Sequence, residues 1–526
     1  MLLHHVYKLY TRKGGRGTFK AVVMLLLQEL LIATALSLAR MFSAYIISLL
    51  LAISVGSWMA RSRAVESLLL PVLDVLQSIP ILGFFPAALL LLARLLPGGL
   101  GLELAAVFLI TTSLVWNMIF GVYTSLKALD PSVYDMAEVY RLGPAARFFF
   151  IYVPACRESI IANSLVSWAG GWFFLTSAEV LSLGEEEYRL RGIGSLILDS
   201  FSRGDLAGFY SGVAVLLAAI LATYLLLWNP AAVTVLRLSL PGVPAVFEVV
   251  KNAVGYAWWG LAQVLTSLEV KLGVVFRLPR PIKAALLLLA AAAVAYSAGG
   301  LSLEPLRGAA PVLSSFPLEL AKSLPRVGLV LLFSLGLSVM IAYFAHLSRG
   351  VSMAVSMAGE VLASIPAVVW WPLLSNLALS HPLGPSIVML IVYLQGAFWY
   401  VYFNLIVYGL ASVRKDLDEL ATVYRVRGLP YLRYVFVPSL LPSLATGLLS
   451  AWGGSWNASI VAEYVDMGGR TFDMQGVGSL ISKAAAQGNV AALLATSLAL
   501  SLFIVLVNKT LWVRLFRFIE RRYGGE

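Results

Sequence analysis

The sequence predicts an all-α polytopic membrane protein, made of two homologous repeats of about six transmembrane helices each, parallel and related by a pseudo-twofold axis. Three observations predict it. First, the 526 residues are 60% hydrophobic and only 12% charged, with a mean hydropathy of +0.87. A soluble chain carries about a quarter charged residues. Second, apolar runs at 284–303, 328–347 and 490–507 approach or reach the length that crosses hydrocarbon as a helix, roughly 20 residues. Long unbroken runs argue against a barrel, which needs short alternating strands. Third, the chain repeats itself. Ser78, Ile79, Pro80 and Pro86 of DVLQSIPILGFFP fall on Ser364, Ile365, Pro366 and Pro372 of EVLASIPAVVWWP, a constant offset of 286. Further on, RGIGSLI from Arg191 matches QGVGSLI from Gln475 at an offset of 284, and between them SWAGGWFFLTSAE matches AWGGSWNASIVAE. A doubled membrane unit suggests a route running between its halves.

Taken in order, hydropathy places spans at 19–38, 41–60, 75–96, 103–124, 158–180 and 206–228 in a first half covering 1–229. Spans at 284–303, 326–347, 359–379, 385–408, 438–464 and 489–508 follow in a second half covering 281–526. Twelve spans put both termini on one side. The first 20 residues carry Lys8, Arg12, Lys13, Arg16 and Lys20 without an acid, and the tail carries Lys509, Arg514, Arg517, Arg521 and Arg522. Basic segments mark the cytoplasmic side, so both termini and the loops 125–157 and 409–437 are expected inside the cell membrane. The loops 182–205 and 466–488 are then outside. The net charge of +11 reports orientation in a lipid bilayer and implies no nucleic-acid partner. The basic start runs into an apolar stretch with no small-residue cleavage site, so the first span is expected to stay.

The repeat is clear from Arg40 and Arg326 onward; before them 19–38 falls on the less apolar 305–324, and the halves are expected to begin differently. Residues 230–280 have no counterpart and read as a cytoplasmic linker with an interfacial helix, Trp258 and Trp259 at headgroup level, or as a re-entrant hairpin. Cys156 is the sole cysteine, which excludes an internal disulfide framework and reads as a small buried filler.

Each inside loop has one plan. DPSVYDMAEVYRLGPAARFFFIYVPA begins at Asp130, and DLDELATVYRVRGLPYLRYVFVPS begins at Asp416. Ala137, Val139, Tyr140, Arg141 and Pro154 superpose on Ala421, Val423, Tyr424, Arg425 and Pro438, all 284 residues apart. The plan is a short helix with acids Asp135 and Glu419 toward its start, broken by Gly143-Pro144 or Gly428-Leu429-Pro430. It makes a compact knob below the membrane.

These loops resemble the EAA loops of ABC importer permeases. The SIP…P and W…AE…G-x-G segments are similar to the nitrate/sulfonate/taurine branch of that superfamily, in the tandem-duplicated version described as an anion-transport permease. The resemblance covers nearly the whole chain except 229–280. It implies that Asp135, Ala137, Tyr140, Arg141, Gly143, Glu419, Ala421, Tyr424, Arg425 and Gly428 form two coupling helices. The implied partners are two ABC ATPase subunits, which would bind the ATP, and an extracytoplasmic substrate-binding protein. The chain departs from the family pattern where Arg141 and Arg425 stand in the place of its glycine, with Gly143 and Gly428 following. No glycine-rich phosphate loop occurs in the chain itself. No cofactor, metal site or catalytic residue is expected.

Candidates for the pathway and its gates follow from polarity. Trp168, Gly171, Trp172, Trp452, Trp456 and Asn457 place glycines between aromatics on a helix, which serves tight helix packing or a gate. Gln395, Asn404 and Asn117 are amides inside apolar helices, where they pair between helices or line a wet cavity. Glu179 and Glu463 close the fifth helix of each half and are expected to fasten an external gate or meet the binding protein, since carboxylates repel anions. Arg40 and Arg326 read as snorkelling helix ends. Nitrate, sulfonates, taurine, bicarbonate and neutral pyrimidine precursors are the substrates that the resemblance implies, with an anion expected. The alternative is a twelve-helix secondary transporter driven by an ion gradient. It would want acids or histidines at mid-membrane, whereas His4, His5, His346 and His381 fall at ends or in loops. A membrane enzyme lacks any nucleophile–base or metal constellation.

Overall fold

The computed structural model describes residues 16–78, most of 80–96, 99–272 apart from 184–185 and 237–244, and 305–523 apart from 468–469. The expected span 284–303 lies outside the described residues, as do the basic segment 1–15 and the last three residues.

The first half opens on α1 (Arg16–Arg61), a single helix of 46 residues. This corrects the expectation of two spans, 19–38 and 41–60. Arg40 looked like a boundary, but it sits 4% exposed in mid-helix, and its partners come from distant sequence. Next come α2 (Arg63–Ser78), α3 (Gly99–Lys127) and the short loop helix α4 (Pro131–Val139). Helix α5 (Val153–Glu179) leads into a hairpin of β1 (Val180–Leu183) and β2 (Glu186–Arg189), then α6 (Ile193–Ser202) and α7 (Leu206–Thr223).

A linker helix α8 (Ala245–Leu272) follows. Its Trp258 packs edge-on to Phe149 at 4.5 Å, and Trp259 lies 5.8 Å from Phe150. The described residues of the linker are therefore helical, and Ala245–Leu272 rests on the stretch that leads into α5.

The second half repeats the order. It has α9 (Pro305–Leu347), α10 (Arg349–Ser364), α11 (Trp371–Ser380), α12 (Gly384–Phe403) and the loop helix α13 (Lys415–Val423). Then come α14 (Val437–Ala462), β3 (Tyr464–Met467), β4 (Arg470–Asp473), α15 (Val477–Ala486), α16 (Val490–Val507) and α17 (Val513–Tyr523). Helix α9, at 43 residues, matches α1 along its length, so the less apolar 305–324 is helical like its counterpart in the first half. Seven helices of the described residues are long and apolar enough to cross a membrane.

The span expected at 359–379 is broken. Helix α10 stops at Ser364, Pro366 follows Ile365, and a 3-10 turn over Ala367–Trp370 leads into α11. A proline disfavours helical geometry in the residue before it and removes a donor; Ile365 is accordingly extended, at ψ 113°. In the first half the described helix likewise ends at Ser78, and parts of the expected span 75–96 lie outside the described residues. A π-helical turn precedes the fifth helix in both copies, at Phe148–Tyr152 and Leu432–Phe436.

Contacts give each half its direction. Arg61, at the end of α1, donates to the Tyr152 hydroxyl at 3.0 Å, beside the loop helix. Earlier on α1, Glu29 pairs with Arg191 just beyond the hairpin at 3.5 Å. Helix α1 therefore runs from the hairpin end of the bundle to the loop end. Its start lies opposite the loop helices, which corrects the expectation, drawn from the basic residues at the start of the chain, that it lies on their side. Each half makes five passes among the described residues, with α2 and its continuation, or α10 and α11, forming the second.

The halves interlock through those second passes. Helix α2 packs against α16, and α10 packs against α5. The Ile81 N–H donates to Asn457 Oδ1 at 2.6 Å, and Ser497 Oγ donates to the Gly83 carbonyl at 3.2 Å. A Cβ on Gly83 would lie 2.8 Å from Ser497 Oγ, so the close approach requires glycine there.

Candidate functional site

Three features stand out, and each occurs in both halves or between them: a buried carboxylate latch, a cavity on the interface, and an exposed loop helix.

The latch explains why AE and G-x-G recur together. In the first half the chain leaves α5 at Glu179, makes the hairpin and returns, Leu190 N donating to the Glu179 carbonyl at 3.0 Å. That return sets Gly194 N on Glu179 Oε2 at 2.7 Å. The other oxygen takes Arg40 Nη1 at 2.9 Å and the Ser37 hydroxyl, while Ser37 Oγ also accepts Ile193 N at 2.9 Å. A Cβ on Gly192 would fall 2.1 Å from the carboxylate, so the loop lies on the acid only because this residue is glycine.

The second half builds the same object. Gly478 N meets Glu463 Oε2 at 2.8 Å, Arg326 Nη1 meets Oε1 at 2.8 Å, Ser323 Oγ donates at 2.8 Å, and Val477 N donates to Ser323 Oγ at 2.9 Å. Glu179 and Glu463 are both fully buried. Each ties the long first helix to the fifth helix and to the segment after the hairpin. Arg40 and Arg326 are latch residues, not snorkelling ends.

The outer partners differ. Arg40 is gripped a second time by Glu103, at 2.6 and 2.7 Å. Arg326 has no second acid among the described residues and instead donates to the Gln475 and Met474 carbonyls at 2.7 and 2.8 Å. Glu463 takes a further hydrogen bond from Tyr393 at 2.8 Å, where the first half has Leu109.

A cavity of about 210 Å³ lies on the interface, lined by both halves. Of the sequence candidates, Asn117, Gln395, Trp452 and Asn457 line it. Trp168, Trp172 and Trp456 pack in the hydrophobic core, and Gly171 lets Met41 close on α5, where a Cβ would lie 2.3 Å from the Met41 methyl. Asn404 bonds back to the Tyr400 carbonyl at 2.9 Å. Glu179 and Glu463 do not line it. Residues with no prior sign in the sequence also contribute, among them Gln77, Ser113, Trp116 and Trp399. The described residues that line the cavity are uncharged.

At the other end sit the loop helices. Asp130 caps α4, its Oδ1 accepting Ser132 N at 2.8 Å, and that hydrogen bond from the backbone holds its carboxyl below the usual carboxylate range. Asp135 and Glu419 are exposed on the helices; Ala137 and Ala421 are buried beneath them. At the end of each helix the backbone turns left-handed at an arginine, φ 51° at Arg141 and 54° at Arg425. Leu142 N then reaches the Ala137 carbonyl at 2.9 Å, and Val426 N the Ala421 carbonyl at 2.8 Å. This is the helix ending that glycine adopts most easily. Gly143 has ordinary extended geometry, whereas Gly428 has φ 64°. The turn throws the preceding pair outward: Val139 and Tyr140 are 78% and 72% exposed, and Val423 and Tyr424 75% and 76%.

Comparison with known proteins agrees with this architecture. The pattern of the binding-protein-dependent transport system inner membrane component family matches residues 48–229 and again 334–524. The chain is similar to the bicarbonate transport system permease protein of Synechocystis sp., 26% identical over 189 residues, covering 35% of this chain and 63% of that one. It is similar to the nitrate import permease protein of Synechococcus elongatus, 24% identical over 186 residues, covering 34% and 62%. A probable ABC transporter permease protein of Brucella melitensis is 26% identical over 163 residues, covering 31% and 63%. The chain thus spans less than two thirds of the length of these relatives. With both repeats matched, this chain belongs to the family of binding-protein-dependent transport system inner membrane components, and it carries that unit twice.

Proposed function

We propose that the chain is the transmembrane permease of an ATP-driven importer, supplying both halves of the translocation pathway for a small anion. The observation that carries this reading is the pair of loop helices. Each presents a bare aromatic–aliphatic step, Val139-Tyr140 and Val423-Tyr424, at the same end of the bundle. Large exposed apolar patches mark interaction surfaces, and two equivalent ones suit two copies of one partner type. That partner is an ATPase subunit under each knob, and the loop end is cytoplasmic. The hairpin end is external and faces a substrate-binding protein.

The bicarbonate and nitrate permeases among its relatives support the anion. An ion-gradient transporter would have no use for two such knobs, and the buried carboxylates Glu179 and Glu463 are held by arginines, hydroxyls and backbone amides.

ATP hydrolysis in proteoliposomes, after co-expression with candidate ATPase subunits, tests the reading. ATPases should co-purify with the intact chain, and a Tyr140→Asp plus Tyr424→Asp variant should lose them and lose coupled uptake. Uptake that follows a proton or sodium gradient, with no ATPase bound, would replace this reading with a secondary transporter.

A further inference from the structure

The last helix of the chain has two sides of opposite chemistry. Helix α16 has 18 residues, about 27 Å at 1.5 Å per residue, close to the thickness of the hydrocarbon. It starts just after the hairpin segment, so it finishes at the loop end. A π turn over Asn508–Trp512 follows, and α17 begins where the headgroups start. On one side of this run Trp512, Leu515 and Ile519 turn toward the protein, where α17 packs on α14. The other side faces away from it. Leu498, Leu502 and Leu506 are exposed at every fourth position of α16, the lipid-facing row of a membrane helix. The π turn inserts one extra residue, so the row resumes at Leu511 and continues to Phe518, both exposed. At this depth it changes character. Arg514, Arg517 and Arg521, spaced i, i+3 and i+7, join it, and all three are exposed.

Among the described residues no carboxylate pairs with these arginines, and Arg517 Nε turns back to the Val513 carbonyl at 3.4 Å. The helix holds one acid in its sequence, Glu520. The fold does not need the arginines either. The first half makes the same π turn at Tyr224–Trp228, with Trp228 buried as Trp512 is, and runs on into a helix over Asn229–Leu236. There Pro230 and Val233 stand where the second half has Arg514 and Arg517. We infer that α17 is a lipid-binding helix, its arginines holding the phosphates of anionic phospholipids in the leaflet at the loop end. Guanidinium forks match phosphate oxygens, and basic side chains clustered at a bilayer surface attract anionic lipid. Leu511 and Phe518 beside them suit the boundary between headgroups and acyl chains. Continuity with the lipid-facing leucines favours a lipid over an acidic protein as the occupant. Because α17 packs on α14, which follows the second loop helix, bound lipid braces that half alone. The inference holds whichever partner covers the loop helices.

The test is the lipid preference of the full chain in nanodiscs made from an equal mixture of phosphatidylcholine and phosphatidylglycerol. Spin-labelled phosphatidylglycerol should be held against the protein at least threefold more than spin-labelled phosphatidylcholine. Arg514→Gln plus Arg517→Gln plus Arg521→Gln should at least halve that ratio. Arg414→Gln plus Arg427→Gln, which removes exposed charge elsewhere at the loop end, should leave it unchanged. On the unaltered chain, photoreactive phosphatidylglycerol should label the peptide 509–522, which keeps the inference testable where the triple variant fails to fold. No preference for the anionic lipid, a ratio unmoved in the triple variant, an equal fall in the control pair, or label only outside 509–522 would overturn it. A triple variant that keeps its lipid preference but loses co-purifying ATPases would overturn it in favour of a protein-docking surface. These lipid measurements need no ATPase, so failure of the importer reading is seen separately.

Discussion

The two halves of this chain hold one geometry with different accessories. In both, a serine and an arginine three residues apart on the long first helix meet a buried glutamate and the glycine loop behind it. Around this shared centre the first half adds an acid, Glu103, while the second adds a phenol, Tyr393. At the loop end the contrast recurs. Arg147 ties down the first knob through backbone carbonyls, Nε donating to Leu142 O at 2.8 Å. In the second, Tyr431 stands at the equivalent place and bridges Asp418 of α13 to His346 of α9, with the ring nitrogen 2.9 Å away. The linker helix leans on the first half, against the stretch that leads into α5. Groups that set the path of the main chain are duplicated, and the groups that brace them are free to change. Four groups of substitutions test that division.

The largest effect is expected where the shared centre is hit directly. Glu463→Ala removes the carboxylate that Arg326 pairs with and strands the Gly478 N–H, and breaking such a buried pair costs about 3–5 kcal/mol. Glu179→Ala should cost less, because Arg40 keeps Glu103. Melting of the two purified variants checks the order; an equal loss would mean that the second acid braces nothing. Next comes Gly476→Ala, whose Cβ would lie 2.2 Å from the Glu463 carboxyl at a φ of 120°. It should destabilise by about 2 kcal/mol or more through strain and displacement of the latch, while Gly453→Ala, with nothing near its Cβ, should melt like the parent.

Smaller, and confined to one half, is Tyr431→Phe. Losing its hydrogen bonds to Asp418 and His346 should cost about 1–2 kcal/mol and raise hydrogen exchange in α13 but not in α4. Equal loosening of both would show that the knobs are braced in common. Smallest is a gain: Arg141→Gly and Arg425→Gly each relieve a left-handed arginine and should stabilise by about 1 kcal/mol or less. A drop in melting temperature would mean that the arginine side chains contribute more than their backbone costs.

Much of this was legible in the sequence because duplication shows itself as matched strings. The loop helices, the AE and G-x-G ends and the apolar runs were all visible as such. What local pattern could not show was partnership. Arg40 reads as a helix end because an unpaired guanidinium in an apolar run is costly, and the acids that neutralise it lie 63 and 139 residues away. The signal was nonetheless present: Ser37 and Arg40 recur as Ser323 and Arg326 at one offset. The hairpins escaped notice because their strands are four residues each and depend on closure at the glutamate. The cavity escaped for another reason. Equivalent positions are differently occupied, Phe173 in one half standing for Asn457 in the other, so the repeat masks the lining where it matters most.

The contact of Gly83 with Ser497 and of Ile81 with Asn457 has an evolutionary side. In a permease assembled from two identical chains, a change on one side of such a contact appears on both, and its remedy must suit two places at once. Here the partners lie in one reading frame. A substitution at Gly83 and its answer at Ser497 are inherited together and made in equal number, so the two walls of the interface can specialise without ever pairing with the wrong copy.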